Sequence, residues 1–365
     1  MAWGCEVVTV KPGSEMRKPE WLRLQYDERI KLVKAIAVSI AVLLLSATCV
    51  APVAPPTSES VVSTPVLTHV TLGLGYIPSV QFAPFYVALD KGFFADEGLA
   101  PEFYHGFETD FIKLVGTDEI QFAVGSGEEV VLARAQGLPV VYVLRWYRRF
   151  PVVVFAPKSA GLSTPAALVG HKVGIPGLFG ASFVAWKALV YSTGLDESQV
   201  KLETIGFTQA EAVSAGQVDA ALDYAVNGPV RLRLAGTDVD VISISDYIDL
   251  PSNGIITNER TIQEKPELVQ AVVRAVLRGI RYTLNHPDEA FAISLAHVPE
   301  AGGENEPASR AVFNAVLGLW DPGDAPLGVS DPVAWAEAAH FMRAVGLVDA
   351  DVDVDALYTN RFVTH

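Results

Sequence analysis

The chain has 365 residues, half of them apolar, and a formal net charge of −15. Such a length builds a sizeable core in one large or two ordinary domains, and the acidity repels nucleic acid and anionic lipid surfaces, so both are poor partners. Both cysteines, Cys5 and Cys49, precede the globular part, which removes a disulfide framework, a CxxC redox pair and a cysteine zinc site from the body.

Residues 1–48 read as a targeting segment. Arg29–Cys49, RIKLVKAIAVSIAVLLLSATC, sets basic residues before an uncharged apolar run and small residues before a cysteine, the order of a secretory signal. Two outcomes stay open. One is cleavage with lipidation of Cys49; the other is an uncleaved anchor, which Pro52 disfavours by breaking the end of the run. In either case the body is expected outside the cytoplasmic membrane and tethered to it. Residues 49–68 are rich in Pro, Ser and Thr without apolar period, as in a flexible linker.

From His69 onward, short β-branched runs alternate with helical patterns, which predicts an α/β fold. The expected strands are VTLGLG, EFYH, IQFAV, VVYVL, VVVFA, KVGI, KLETI, VDAAL and VDVISI. After the first comes GYIPSVQFAPFYVALDKGFFADEGL (75–99), with six aromatic rings in 25 residues. Two stretches, 111–129 and 210–228, share one grammar: a short helix, a glycine (Gly116, Gly216), a short strand, then a loop of small and polar residues. That grammar predicts one supersecondary unit used in each half. Glu128 and Glu129 fall in the first turn of the helix after the first such loop, with Arg134 in its last turn and Gly137 beyond. Apolar residues at 269, 272, 273, 276, 277, 280 and 284 predict a long helix between Pro266 and Pro287. Further helices are expected at 307–318 and 331–344.

Ligands of open α/β sheets bind beyond the carboxyl ends of the strands. The loops there carry no catalytic set. GxSxG and GK[ST] are absent, no HExxH stands among the seven scattered histidines, and Gly73-Leu-Gly75 is followed by Pro78 where a dinucleotide fingerprint needs its third glycine. What the loops offer is rings and amides. Tyr76, Gln81 and Phe82 follow the first strand. Ser126 and Glu128 follow IQFAV, with Glu128 equally readable as a helix cap. Trp146 follows VVYVL, either stacking on a ligand or covering the junction between two lobes. Phe179 and Ser182 open the helix after KVGI. Tyr224 and Asn227 follow VDAAL, and an amide there can both donate to and accept from the edge of a pyrimidine-like ring.

Taken in order, GYIPSVQFAPFYVALDKGFFADEGL, IQFAVGSGEEVVLARAQGLPV, FPVVVFAPKSAGLSTPAALVGHKVGI and GLDESQVKLETIGFTQAEAVSAGQVDAAL resemble the solute-binding proteins of ABC importers. The branch resembled is the one handling sulfonates, taurine and thiamin pyrimidine precursors, over about residues 69–290. The resemblance implies a type II-like periplasmic-binding-protein fold, with two crossover segments and the ligand held between lobes. Mapped here, lobe one is 69–154 plus 258–345, lobe two is 155–257, the crossings lie near 152–158 and 252–258, and 346–365 is a tail. It also implies two partners, a transmembrane permease and its ATPase, and a transported ligand in place of any cofactor. The aromatic loading favours a flat heterocycle, and GYIPSVQFAPFYVA is most similar to the riboflavin-binding members, ahead of the pyrimidine-precursor and sulfonate binders. An enzyme of the same fold, the pyrimidine synthase, carries a cysteine-rich motif that this body lacks.

Overall fold

The computed structural model of the chain describes residues 66–363. The expected leader, Cys49 and all but the last residues of the linker lie outside them. Among the described residues the strands are, in chain order, β1 (Thr68–Leu74), β2 (Leu99–His105), β3 (Phe122–Ser126), β4 (Val140–Arg145), β5 (Val152–Pro157), β6 (Lys172–Ile175), β7 (Lys201–Thr204), β8 (Ala220–Tyr224), β9 (Val239–Ser243) and β10 (Asn253–Asn258). They form two five-stranded sheets, ordered β2-β1-β3-β10-β4 and β7-β6-β8-β5-β9. In each sheet the first three strands are parallel, and the last two are joined through an antiparallel fourth. The α/β fold is as expected. β3 and β10 are buried along their whole length, as central strands covered on both faces must be, and this is why FAVGS and NGIITN lack polar alternation.

The repeated grammar falls on topologically matched places. β3 and β8 each stand third in their sheets, each after a helix, Glu108–Gly116 and Gln209–Ser214. The two glycines serve different ends, however. Gly216 takes the left-handed turn at φ 67°, whereas in the first copy Asp118 takes it at φ 63°. A Cβ on Gly116 would stand 2.9 Å from that of Leu138, so this glycine answers close packing.

The crossings lie earlier in the chain than expected. The runs 152–157 and 253–258 are themselves β5 in the second sheet and β10 in the first, so the connections are 146–151 and 244–252. Consequently 152–154 belong with the second lobe and 253–257 with the first. Both apolar runs look alike in sequence, and only pairing assigns a strand to its sheet. The segment 346–363 is also no tail. Tyr358 bridges to Tyr142 on the outer edge of β4, the backbone N–H groups of Tyr142 and Thr359 donate across the join at 2.9 Å, and Leu357 and Phe362 are buried. The chain end thereby covers an edge that would otherwise present unpaired amides.

The long helix forms as Pro266–Asn285 and buries Val269, Val272, Val273, Val276, Leu277 and Ile280 against the helix Ala83–Asp90. Among the described residues, no helix is long and apolar enough to cross a membrane.

Candidate functional site

Because β1, β2 and β3 run parallel, as do β6, β7 and β8, their carboxyl ends all open toward one place between the sheets. A cleft of about 910 Å³, its open mouth included, lies there.

Eight of the ten residues singled out in the sequence line this cleft: Tyr76, Gln81, Phe82, Trp146, Phe179, Ser182, Tyr224 and Asn227. They differ in what they offer. Ser79 caps the turn Val80–Phe82 by accepting from the Gln81 N–H, which holds the Gln81 side chain inward. From there Gln81 Nε2 donates to Asn227 Oδ1 at 2.9 Å, joining the two lobes. Asn227 Nδ2 donates in turn to Asp223 Oδ1 at 3.3 Å, and Tyr224 Oη donates to Asn253 Oδ1 at 3.2 Å. Burial pushes the Asp223 carboxyl up to about 6, although it accepts from the backbone N–H groups of Gly228 and Tyr224. Burial and the Asp223 charge push the Tyr76 phenol up to about 12, so it is a neutral donor at physiological pH.

Trp146 is placed differently. It is only 3 % exposed, stacks on Phe82 at 5.5 Å and 17°, and packs against Phe85, Tyr147 and Trp320. These partners belong to the first lobe and the connection, so Trp146 is packed into the first lobe's core where that core borders the cleft. Phe82, also 3 % exposed, belongs to the same aromatic stack.

Ser126 and Glu128 do not reach the cleft. Both are fully buried. Ser126 donates from its N–H and its hydroxyl to Glu108 Oε1, and it is Glu108 that lines the cleft floor. Glu128 stands in the first turn of the helix Gly127–Ala135, as expected, and neither of its oxygens has a hydrogen-bond partner of normal geometry among the described residues. Burial and, secondarily, the nearby Glu108 charge hold its carboxyl well above the usual carboxylate range. Burial, with the Glu129 charge, likewise pushes Glu108 up to about 8. These two expectations fail for one reason. The strand β3 ends two residues later than the expected run IQFAV, so Ser126 is still strand and Glu128 turns into the core.

Other lining residues were not singled out, chiefly Phe107, Glu108, Tyr147, Phe207 and Asn253. Phe107 and Phe207 have the clearest role. With Tyr76 and Phe179 they form a ring quartet at the mouth. Tyr76 meets Phe207 edge-on at 5.5 Å, Phe107 lies against Phe207 at 5.9 Å and 25°, and Phe107 meets Phe179 at 6.1 Å. Two rings come from each lobe. Phe107, Phe179 and Phe207 are 51 %, 56 % and 46 % exposed, high for side chains of this size. A signal for two of them existed. Gly106-Phe107 follows β2 and Gly206-Phe207 follows β7, and those strands hold matched places in the two sheets.

Chemically, the cleft offers flat apolar faces around amides, a neutral phenol and two carboxyls, Asp223 and Glu108, both raised above the usual carboxylate range. Among the described residues no cluster of three or more His, Cys, Asp or Glu is placed to hold a metal ion.

Comparison with known proteins agrees with this geometry. Residues 79–290 match the family model described as NMT1/THI5 like. The chain is 41 % identical to the riboflavin-binding protein RibY of Chloroflexus aurantiacus, over 91 % of this chain and 98 % of that one. It is 30 % identical to the formylaminopyrimidine-binding protein of Halalkalibacterium halodurans (76 % and 86 % covered). It is 25 % identical to the 4-amino-5-hydroxymethyl-2-methylpyrimidine phosphate synthase of Legionella pneumophila (81 % and 92 %). Among solved structures, the alkanesulfonate-binding protein SsuA of Xanthomonas axonopodis, bound to MOPS, superposes with a TM-score of 0.63 at 16 % identity, covering 80 % of this chain and 98 % of that one. That likeness establishes the periplasmic-binding-protein fold.

Proposed function

The chain belongs to the NMT1/THI5-like family, and on that premise we propose that it is an extracytoplasmic solute-binding protein that captures riboflavin between its lobes for an ABC importer. The observation that carries this reading is the ring quartet, Tyr76 and Phe107 from one lobe facing Phe179 and Phe207 from the other. A flat tricyclic ring suits such a mouth, since offset and edge contacts contribute about 0.5–1.5 kcal/mol per aromatic pair beyond area burial. Its heteroatoms are then met by Gln81, Tyr224, Asn227 and Asn253, which matters because an orphaned buried polar atom costs roughly 1–3 kcal/mol. The 41 % identity to a riboflavin-binding protein supports the same ligand.

Capture follows as lobe closure. A ligand that touches both lobes binds the closed form better than the open one and shifts the population by that difference. No bond is made or broken. The synthase relatives are more distant than the binding proteins, and this body has no cysteine. In this reading Cys49 carries a lipid anchor, the leader is removed, residues 49–65 give reach, and a permease with its ATPase receives the closed, loaded form.

A second reading, a single-ring aminopyrimidine, is supported by the formylaminopyrimidine-binding relative. Titration of the purified chain with riboflavin, an aminopyrimidine and taurine, followed by flavin and tryptophan fluorescence, separates the readings. Riboflavin is expected to bind at or below about 1 µM and to be recovered chemically unchanged. Riboflavin left free at that level, or converted, removes the proposal.

A further inference from the structure

A second cavity of about 970 Å³, its open mouth included, adjoins the cleft and shares Tyr76, Gln81 and Asn227 with it, so the Gln81–Asn227 hydrogen bond stands at the junction of the two. Its chemistry is different. Where the cleft is ringed by aromatic faces, this annex has no ring besides Tyr76. Its polar lining is Ser79, Arg231, Glu300, Asn305 and Ser309, over an apolar floor of Val298, Ala301 and Val312. Both lobes build it: Arg231 stands on the helix Gly228–Leu234, which packs against the helix Glu306–Trp320 of the first lobe.

The geometry points to the annex as the subsite for a neutral polyhydroxyl side chain of the ligand, and to its charge balance as selecting against the phosphorylated form. This rests on the riboflavin reading above. A ribityl chain extends from one edge of the ring system, and each hydroxyl needs a donor or acceptor once it leaves water. Ser79, Asn227, Asn305 and Ser309 offer both kinds. The aromatic mouth offers few. A phosphate needs uncompensated positive charge. Arg231 is the annex's only cation, yet its Nη1 donates to Glu211 Oε1 at 3.3 Å, and Glu300 adds a carboxylate to the same lining. The surroundings of a terminal phosphate would be net negative.

Three probes and one variant test this in the full chain: riboflavin, lumichrome (the tricyclic ring without its chain), and riboflavin 5′-phosphate, each titrated by fluorescence against the native protein and Ala308→Trp. Ala308 lines the annex and not the cleft, and a tryptophan there takes up annex volume. Riboflavin is expected to bind about tenfold tighter than lumichrome and than its 5′-phosphate in the native chain. Ala308→Trp is expected to abolish the advantage over lumichrome while leaving lumichrome affinity unchanged, which also shows that the variant is folded. Equal affinities for riboflavin and lumichrome, or an Ala308→Trp chain that keeps the difference, overturn the annex while leaving the ring site standing. A 5′-phosphate that binds as tightly as riboflavin overturns the selection against charge. If none of the three flavins binds, the ring reading itself has failed and the annex falls with it.

Discussion

Gln81 Nε2 on the first lobe donates to Asn227 Oδ1 on the second at 2.9 Å, with Tyr147 Oη at 3.4 Å from Gln81 Oε1 and Asp223 holding the far side of Asn227. This chain of amide, phenol and carboxyl joins the two lobes where the cleft meets the annex, and links closure to the groups that meet the ligand edge. Replacing Asn227 by Ala leaves Gln81, which is 5 % exposed, without that partner. Gln81 Nε2 keeps Ser79 Oγ as a partner, so the expected loss of about tenfold in riboflavin affinity comes from a ligand edge atom left without its amide, roughly 1–3 kcal/mol. Fluorescence titration checks it, and an unchanged affinity removes Asn227 from the site.

The exposed rings and the buried ring make opposite predictions. Phe107→Ala and Phe207→Ala should each weaken riboflavin binding by about two- to tenfold, from the ~0.5–1.5 kcal/mol of an aromatic pair, with little change in thermal midpoint. Trp146→Ala should instead destabilise the fold by about 3–5 kcal/mol, because it empties the centre of the stack of Phe82, Phe85, Tyr147 and Trp320. Thermal melts and titrations on all three variants decide between these roles.

Stability should rise as pH falls from about 8 toward 5. Glu108 and Glu128 are held above their ordinary 4.5 in the folded chain, and Asp223 above 3.8, in each case mainly by burial. The folded chain therefore binds more protons than the unfolded one across that interval. The contribution is full below the unfolded values and is lost as pH rises through about 6 for Asp223 and about 8 for Glu108, at up to ~1.4 kcal/mol per pH unit per group. His105, held below 6.5 by burial, acts in the opposite sense at the acidic end. Glu128→Gln, neutral at every pH, should flatten the slope and raise the melting temperature at pH 8. A stability curve of unchanged slope would contradict the burial argument.

Gly254 in β10 predicts a stability effect unrelated to ligand. A Cβ there would stand 2.1 Å from the Tyr142 ring and 2.2 Å from the Leu144 carbonyl oxygen, and a backbone atom cannot yield. Gly254→Ala is expected to cost at least about 1–3 kcal/mol, read as a lower denaturation midpoint with unchanged m-value. A variant as stable as the parent would show that β4 and β10 can separate at this bulged register.

The sequence by itself determined the alternation of strands and helices, the matched units around β3 and β8, and the family, because each is written in local periodicity and in the order of local motifs. It also pointed to much of the cleft lining, since loops at the carboxyl ends of the strands open there, although the rings of Phe82 and Trp146 turn into the core. Which apolar run belongs to which sheet was not legible: β5 and β10 differ from their neighbours only in the strand they pair with across the molecule. The same holds for Ser126 and Glu128, whose direction depends on where β3 ends, and for Phe107 and Phe207, which meet only when the lobes face each other. Those are distances between residues far apart in the chain, so only tertiary packing decides them.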